Sequence, residues 1–388
     1  MGEKKDVAML IFGLLLYIFD VGSDIFVAVE LYQHGHFWWF ILTLIFIILP
    51  IIIINFAACF QTGPVRSNEN ETETSGKICC AFSFCTCTSI IFRYKEEITR
   101  WNILNELKRS TCKQTYETCP CYNCMKYRDQ QINFAKSSYE LAQLHHIAAV
   151  TESAPQWCLQ VYIMLRQSYF PWYTLLSTLI SLLTLVWSIT NIEITRHKKN
   201  GDELKFESKA VFLLSQLFSL VSRLFAIIYC AYVLKYFVFL IVVVHIVFVT
   251  PCLIFAIGHG CMDLMISLLL TFSVFFGISE SLLSLEYAEA KVLIYMLQFS
   301  HGFQNVLMLS ISLAFSRFDN QVWLIATACV IGGLLLGTAL LICFFKSYNP
   351  GQDVQVVQII PNDNVREKRH AGKDGPSNYG QENHVTRI

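Results

Sequence analysis

Glu152, Gln156 and Gln160 recur every four residues within Thr151-Glu152-Ser153-Ala154-Pro155-Gln156-Trp157-Cys158-Leu159-Gln160-Val161-Tyr162, inside a stretch otherwise apolar enough to cross a membrane. On a helix these side chains form one stripe, and a carboxylate flanked by amides does not face lipid tails. Pro155 removes a backbone donor and blocks the carbonyl a turn earlier, so the helix bends beside the stripe and frees polar backbone groups there. Two readings follow: a polar path through the membrane, or a satisfied polar cluster that packs helices together.

A second set of charges lies in the first apolar stretch, where Asp20 and Asp24 share a face with Gly13, Tyr17 and Val27. Each Asp near mid-bilayer costs about 2.5–3.5 kcal/mol, and some fifteen apolar neighbours return a similar sum, so this helix depends on its neighbours to stay inserted. Two carboxylates one turn apart repel unless a cation or water is near. Arg223, placed among Ser215, Ser219 and Ser222, is the expected partner. A polar path and a structural ion pair both remain open for this set, and breaking such a pair on one side is costly either way.

The elements that hold these residues are long apolar helices. With 54% hydrophobic and 15% charged residues, the chain is too apolar for a soluble globule. Nine stretches are long enough to span, 7–31, 37–60, 141–166, 172–195, 209–233, 236–257, 262–285, 291–315 and 321–346; a tenth, 78–92, is short. The first reads as a retained span rather than a signal peptide. Lys4-Lys5, the basic cluster from Arg93 to Arg128, Arg196-His197-Lys198-Lys199 and Arg366-Lys368-Arg369 mark one side as cytoplasmic. Nine crossings would put the basic tail outside, so one stretch fails to cross. The choice is 262–285, interrupted by Gly277 and bounded by Asp263, Glu280 and Glu286, with 78–92 as its counterpart.

The expected fold class is therefore all-α and polytopic: eight transmembrane helices plus two half-inserted helices, arranged as two structural repeats. The first repeat covers 1–196 with a cytoplasmic loop 61–140, a linker covers 197–208, the second repeat covers 209–346, and 347–388 is a polar cytoplasmic tail. Within the loop, 90–107 alternates apolar and charged residues in helical steps, which suits a helix on an anionic inner leaflet.

Fifteen cysteines do not form a secreted disulfide framework, because none falls in the short connections expected outside. Cys112, Cys119, Cys121 and Cys124 lack two clean C-x-x-C pairs, so no metal is expected. Cys79, Cys80, Cys85 and Cys87 beside the short apolar run suit palmitoylation, with unmodified thiols the other reading. Asn70-Glu71-Thr72 is a glycosylation sequon on the cytoplasmic side and is expected bare. No P-loop, G-x-S-x-G, H-E-x-x-H or paired catalytic constellation occurs, so neither an enzyme nor a cofactor is expected. The balanced charge gives no case for nucleic acid.

At Tyr17-Ile18-Phe19-Asp20 through Asp24-Ile25-Phe26-Val27, the turn His34-Gly35-His36, Phe92-Arg93-Tyr94, Glu152-Ser153-Ala154-Pro155-Gln156 with Leu159-Gln160-Val161-Tyr162, and Tyr348-Asn349-Pro350, the chain resembles the XK-related family of membrane proteins. The resemblance covers roughly 10–350 in the same order. It implies the family's eight crossings and two half-inserted helices, and places Asp20, Asp24, Glu152 and Arg223 at the family's intramembrane charges. Many members carry a second acidic residue one turn before Glu152; here Ala148 stands there, with His145 above it. The implied function is a plasma-membrane phospholipid scramblase acting in apoptosis on lipids that include phosphatidylserine, with Asp20, Asp24, Glu152, Gln156 and Arg223 lining or supporting the path. The alternative is a non-scrambling docking protein for a lipid-transfer or other partner, and a solute transporter comes third. A single-span accessory subunit is a further candidate partner.

Some relatives are activated when a caspase removes the tail. Asp374, followed by Gly375, is the first candidate cut and Asp363 the second. Thr386-Arg387-Ile388 has the form that a PDZ groove reads by strand addition, with Thr386 and Ile388 as anchors and an idle tail end as the other reading.

Overall fold

A computed structural model describes residues 2–61, 89–112, 119–201, 204–235, 238–257, 271–272, 274–276, 287–316 and 321–347. All of them fall in one compact unit, Met1–Pro350. The described elements are helices: α1 (Gly2–Gln33), α2 (Phe37–Gln61), α3 (Ser89–Arg109), α4 (Tyr122–Thr151), α5 (Ser153–Gln167), α6 (Trp172–Lys199), α7 (Phe206–Leu234), α8 (Val238–Ile257), α9 (Tyr287–Phe315) and α10 (Val322–Ser347). Five contain stretches long and apolar enough to cross a membrane: Val7–Gln33, Phe37–Ile54, Trp172–Lys199, Phe206–Leu234 and Val322–Lys346. Ile41, Leu44, Ile45, Ile48, Leu49 and Ile52 of α2 are all exposed, an apolar face that belongs in lipid. The chain is a multi-pass helical membrane protein. The expected half-inserted stretches lie largely outside the described residues: 78–88 wholly, and 262–285 except for helical residues 271–272 and 274–276.

Local chemistry sets the ends of the helices. Between α1 and α2, Gly35 takes φ +75°, a left-handed conformation that glycine adopts without a Cβ clash, and the His36 N–H turns back to the Leu31 carbonyl at 2.9 Å. Helix α5 stops at Ser168, also left-handed, and Pro171 then leads into α6 in an extended conformation. Tyr169, Phe170 and Trp172 at this turn, with Phe37 and Trp38 at the other, stay exposed as an aromatic collar suited to a headgroup boundary. Asp24 lies ten residues before His34, about 15 Å along the helix at about 1.5 Å per residue. That is the middle of a hydrocarbon core about 30 Å thick.

Two expectations need correction. The segment 61–140, expected as a loop, holds α3 and the first two-thirds of α4. The anticipated helix at 90–107 is α3, and it buries Ile90, Tyr94, Glu97 and Leu104 along one face against α4 and α1. Helix α4 begins at Tyr122 because Tyr127, Phe134, Ala135 and Tyr139 recur at helical spacing and pack inward, Phe134 under Lys198 and Tyr139 under Lys199. The stretch 141–166, expected as one bent span, is divided between α4 and α5. Glu152 joins them at φ −109°, ψ −69°, in the right-handed region but displaced from the usual helical values.

Glu97 fixes α3 on α4. Ser138 donates to its Oε1 at 2.5 Å, Ser137 to both oxygens at 2.8–2.9 Å, and Arg100 lies 3.4 Å from Oε2. Burial pushes this carboxyl above its ordinary value, against the lowering pull of both serines and the arginines. The folded chain therefore keeps the proton to higher pH than the unfolded chain does. The stability this contributes is fully present below the unfolded pKa and is lost as pH rises through the folded one. Glu97→Gln is expected to flatten that decline, measured as the melting temperature of the detergent-solubilised protein across the acidic to neutral range.

Candidate functional site

Helices α1, α5 and α6 meet along a ladder of polar side chains inside the spans. Ser153 donates to Asp20 Oδ2 at 2.5 Å and Ser181 to Asp20 Oδ1 at 2.7 Å. One turn further along α1, Asp24 Oδ1 accepts from Gln160 at 2.9 Å and from Ser177 at 2.8 Å. Gln160 also donates to the Ser177 hydroxyl at 3.0 Å. Asp20/Asp24 and Ser177/Ser181 sit at i, i+4, so two helix faces present matching rungs. The α5 stripe is placed by the break at Glu152, which is itself buried. Gln156 N–H still bonds the Glu152 carbonyl at 3.0 Å, but Pro155 has no N–H to offer Thr151. Gln156 turns to α2 and donates to the Thr43 carbonyl at 2.8 Å.

The ladder is sealed: Asp20 and Asp24 are 2% and 0% exposed, and Gln156 and Gln160 both 0%. Three acceptors within it, Asp24 Oδ2, Gln156 Oε1 and Gln160 Oε1, have no hydrogen-bond partner among the described residues. A recess of about 70 Å³ at the aromatic collar, lined by Glu30, His34, His36, Gln167 and Tyr173 among others, reaches down to Gln160.

Arg223 does not join this ladder, and among the described residues no ion pair links it to Asp20 or Asp24. Its Nε donates to the Phe275 carbonyl at 2.8 Å, one terminal nitrogen to Asn305 Oδ1 at 2.9 Å and the other to Gln304 Oε1 at 2.8 Å. The guanidinium also lies 4.6 Å over the Phe275 ring. The expected pairing fails because two different sets of neutral groups compete for the charges. Hydroxyls on α5 and α6 reach the carboxylates, while amides on α9 reach the guanidinium. Below Arg223, Ser222 donates to the Val330 carbonyl at 2.7 Å and Ser215 to the Gly337 carbonyl at 3.0 Å, drawing α7 onto α10.

A family model described as XK-related protein matches residues 8–350. The chain belongs to the XK-related family. In this XK-related chain Ala148 is buried one turn before Glu152, and His145 is buried with its Nδ1 2.5 Å from the Tyr94 hydroxyl. Of the site residues expected from sequence, Asp20, Asp24, Glu152 and Gln156 lie in or beside one region, and Arg223 lies in another. Asp363, Asp374, Thr386 and Ile388 fall outside the described residues, as do Asn70 and Cys79, Cys80, Cys85 and Cys87. Sequence reasoning missed Ser153, Ser177, Ser181, Gln304 and Asn305 as partners of the charges. A signal existed for α6, where Ser177, Ser181, Thr184 and Ser188 recur at helical intervals.

Proposed function

We propose that this XK-related protein is a phospholipid scramblase of the plasma membrane with both termini cytoplasmic. The observation that carries the reading is the ladder itself. Two carboxylates, two amides and three serines line up along adjoining helices at membrane depth, with three acceptors left without a partner among the described residues. Leaving an isolated charge in a dry low-dielectric medium costs on the order of tens of kcal/mol, so a headgroup crosses only where polar groups replace its water. A carboxylate-lined seam meets the ammonium of a choline, ethanolamine or serine headgroup while the acyl chains stay in lipid. No energy source is needed, and movement is bidirectional. Since the ladder is sealed, the arrangement is a shut state, and α1 must part from α5 and α6 for transport. Caspase removal of the tail at Asp374 or Asp363 is the proposed trigger, as part of phosphatidylserine exposure in apoptosis. An accessory single-span subunit or a PDZ scaffold at Thr386–Ile388 are the proposed partners.

Two parallel clasps support the two-repeat architecture of eight crossings and two half-inserted helices. In one half, α1 carries the charges and α5 and α6 hold them; in the other, α7 carries Arg223, α9 binds it and α10 packs alongside.

One observation favours the alternative, a non-scrambling docking protein: both Asp20 oxygens are already satisfied by serine hydroxyls. Reconstitution in liposomes with a fluorescent headgroup-labelled lipid and an impermeant quencher separates the two. The tail-truncated protein is expected to expose inner-leaflet label. Asp24→Asn and Glu152→Gln are expected to slow this by roughly tenfold or more while eluting as folded protein, since the isosteres keep shape and remove charge. Full-rate scrambling by both variants rules out the polar path, and no scrambling by any form, truncated or not, leaves the docking reading.

A further inference from the structure

The helical hairpin α3–α4 is joined by Cys112-x6-Cys119-x-Cys121-x2-Cys124, and the fold gathers all four thiols into one cluster. Their Sγ atoms lie within 4.8 Å of one another, with Cys112 3.7 Å from Cys119 and 3.9 Å from Cys121. A tetrahedral site with metal–sulfur bonds of about 2.3 Å places its sulfurs about 3.8 Å apart. We propose that these four cysteines bind one zinc ion, independently of any scrambling activity.

Four thiolates in tetrahedral array select a soft, borderline ion such as zinc over the oxygen-seeking calcium and magnesium. The setting favours thiolates as well. Cys121 is the N-cap of α4 and Cys124 sits in its first turn, where the positive end of the helix dipole and the free N–H groups stabilise negative sulfur. Four thiolates and one zinc leave a net double negative charge, and Lys108, Arg109, Lys126 and Arg128 flank the cluster in sequence to offset it. The cysteines are free thiols in the structure, as expected for the reducing side of the membrane.

The ion would tie together the connecting end of the hairpin, away from its apolar and carboxylate contacts. Leu104, Tyr127 and Phe134 pack the middle and Glu97 with Ser137 and Ser138 fasten the far part. At the connecting end the Asn123 amide donates to the Ser110 carbonyl at 3.4 Å. Because α4 runs on to Glu152, fixing its start also steadies the helix that leads into the ladder.

Metal analysis tests this on the full-length chain, purified in mild detergent with a reductant and without chelator. About one zinc per chain is expected for four thiolates and one ion. The pair Cys112→Ser and Cys119→Ser should lower bound zinc by roughly tenfold or more, since changes outside the ligand shell already cost about 10–100-fold. Cys343→Ser, an exposed cysteine of α10, should leave zinc unchanged. Because the paired variant could also misfold, the wild-type protein is stripped and given cobalt, which should produce thiolate-to-cobalt charge transfer and the strong visible bands of a tetrahedral site. Wild-type protein without zinc and without those cobalt bands overturns the proposal. Zinc that survives the paired substitution overturns it, as does intact mass showing these cysteines in disulfides or carrying acyl chains.

Discussion

Replacing Gly337 with valine is expected to abolish accumulation of folded protein. A Cβ at this position would stand 2.5 Å from the Ser219 hydroxyl, 2.9 Å from the Ser219 nitrogen and 3.2 Å from the Ser215 carbonyl oxygen. Two of those atoms are backbone and cannot rotate away. Gly333, one turn earlier, would meet the Phe218 carbonyl at 2.6 Å, so the Gly-x-x-x-Gly face of α10 lies directly on the serines of α7. Lipid tails are as apolar as leucine side chains, so helices in a membrane hold together by this close packing and by bonds such as Ser215 to the Gly337 carbonyl. Overpacking costs about 1–3 kcal/mol where side chains can adjust, and more where backbone must move. Against a total stability of about 5–15 kcal/mol, that suffices to deplete the folded form. Gly332 supplies the control, because a Cβ there meets nothing within 4 Å. Detergent-solubilised Gly332→Val should be recovered and melt like wild type while Gly337→Val yields little or no folded protein; equal recovery and melting would show that the α7–α10 contact does not hold the fold.

Arg223→Met is expected to destabilise the protein by about 4.5–9 kcal/mol, because hydrogen bonds to a charged group are worth about 1.5–3 kcal/mol each and three are lost. The variant strands the Phe275 carbonyl, Asn305 Oδ1 and Gln304 Oε1 in a buried site. Arg223→Lys should rescue little, since a single ammonium cannot span three acceptors that a planar fork reaches together. Combining Arg223→Met with Asp24→Asn measures coupling between the charges. Near-additive losses, within about 0.5 kcal/mol, are expected for groups that share no partner. Coupling of several kcal/mol in thermal melts would restore the ion pair that sequence reasoning favoured and that the structure does not contain.

The long helices were legible because apolar length is a strong signal: the starts and ends of α6, α7, α8, α9 and α10 lie within about four residues of the expected spans. Helix α4 was harder to see. Its first two-thirds bury Tyr127, Phe134 and Tyr139 between Lys126, Arg128 and Lys136, so their average hydropathy resembles that of a loop. Pro155 announced a break in the helix beside Glu152. The partners of the charges were hidden, because pairing an acid with a base is the default for distant residues, and serines that satisfy carboxylates look in sequence like ordinary small residues of a span. The four cysteines of the hairpin carried no clean repeat of C-x-x-C; only the return of α4 alongside α3 brings Cys112 to the other three.

Two of the serines that seal the ladder, Ser177 and Ser181, lie on α6. On the same helix Thr178, Ser188 and Thr190 give their hydroxyls to carbonyls three or four residues back at 2.8–2.9 Å. Ser177 and Ser181 have the same exit: a turn about χ1 brings each hydroxyl to the carbonyl of the preceding turn, so neither is orphaned when it lets go. Asp20 and Asp24 have no such refuge in a dry membrane. On the scramblase reading, unlatching is therefore governed by whatever takes over the carboxylates, and an arriving ammonium headgroup is a better key than water. The cargo itself would lower the cost of opening, and lipids without a cationic headgroup would find the seam closed.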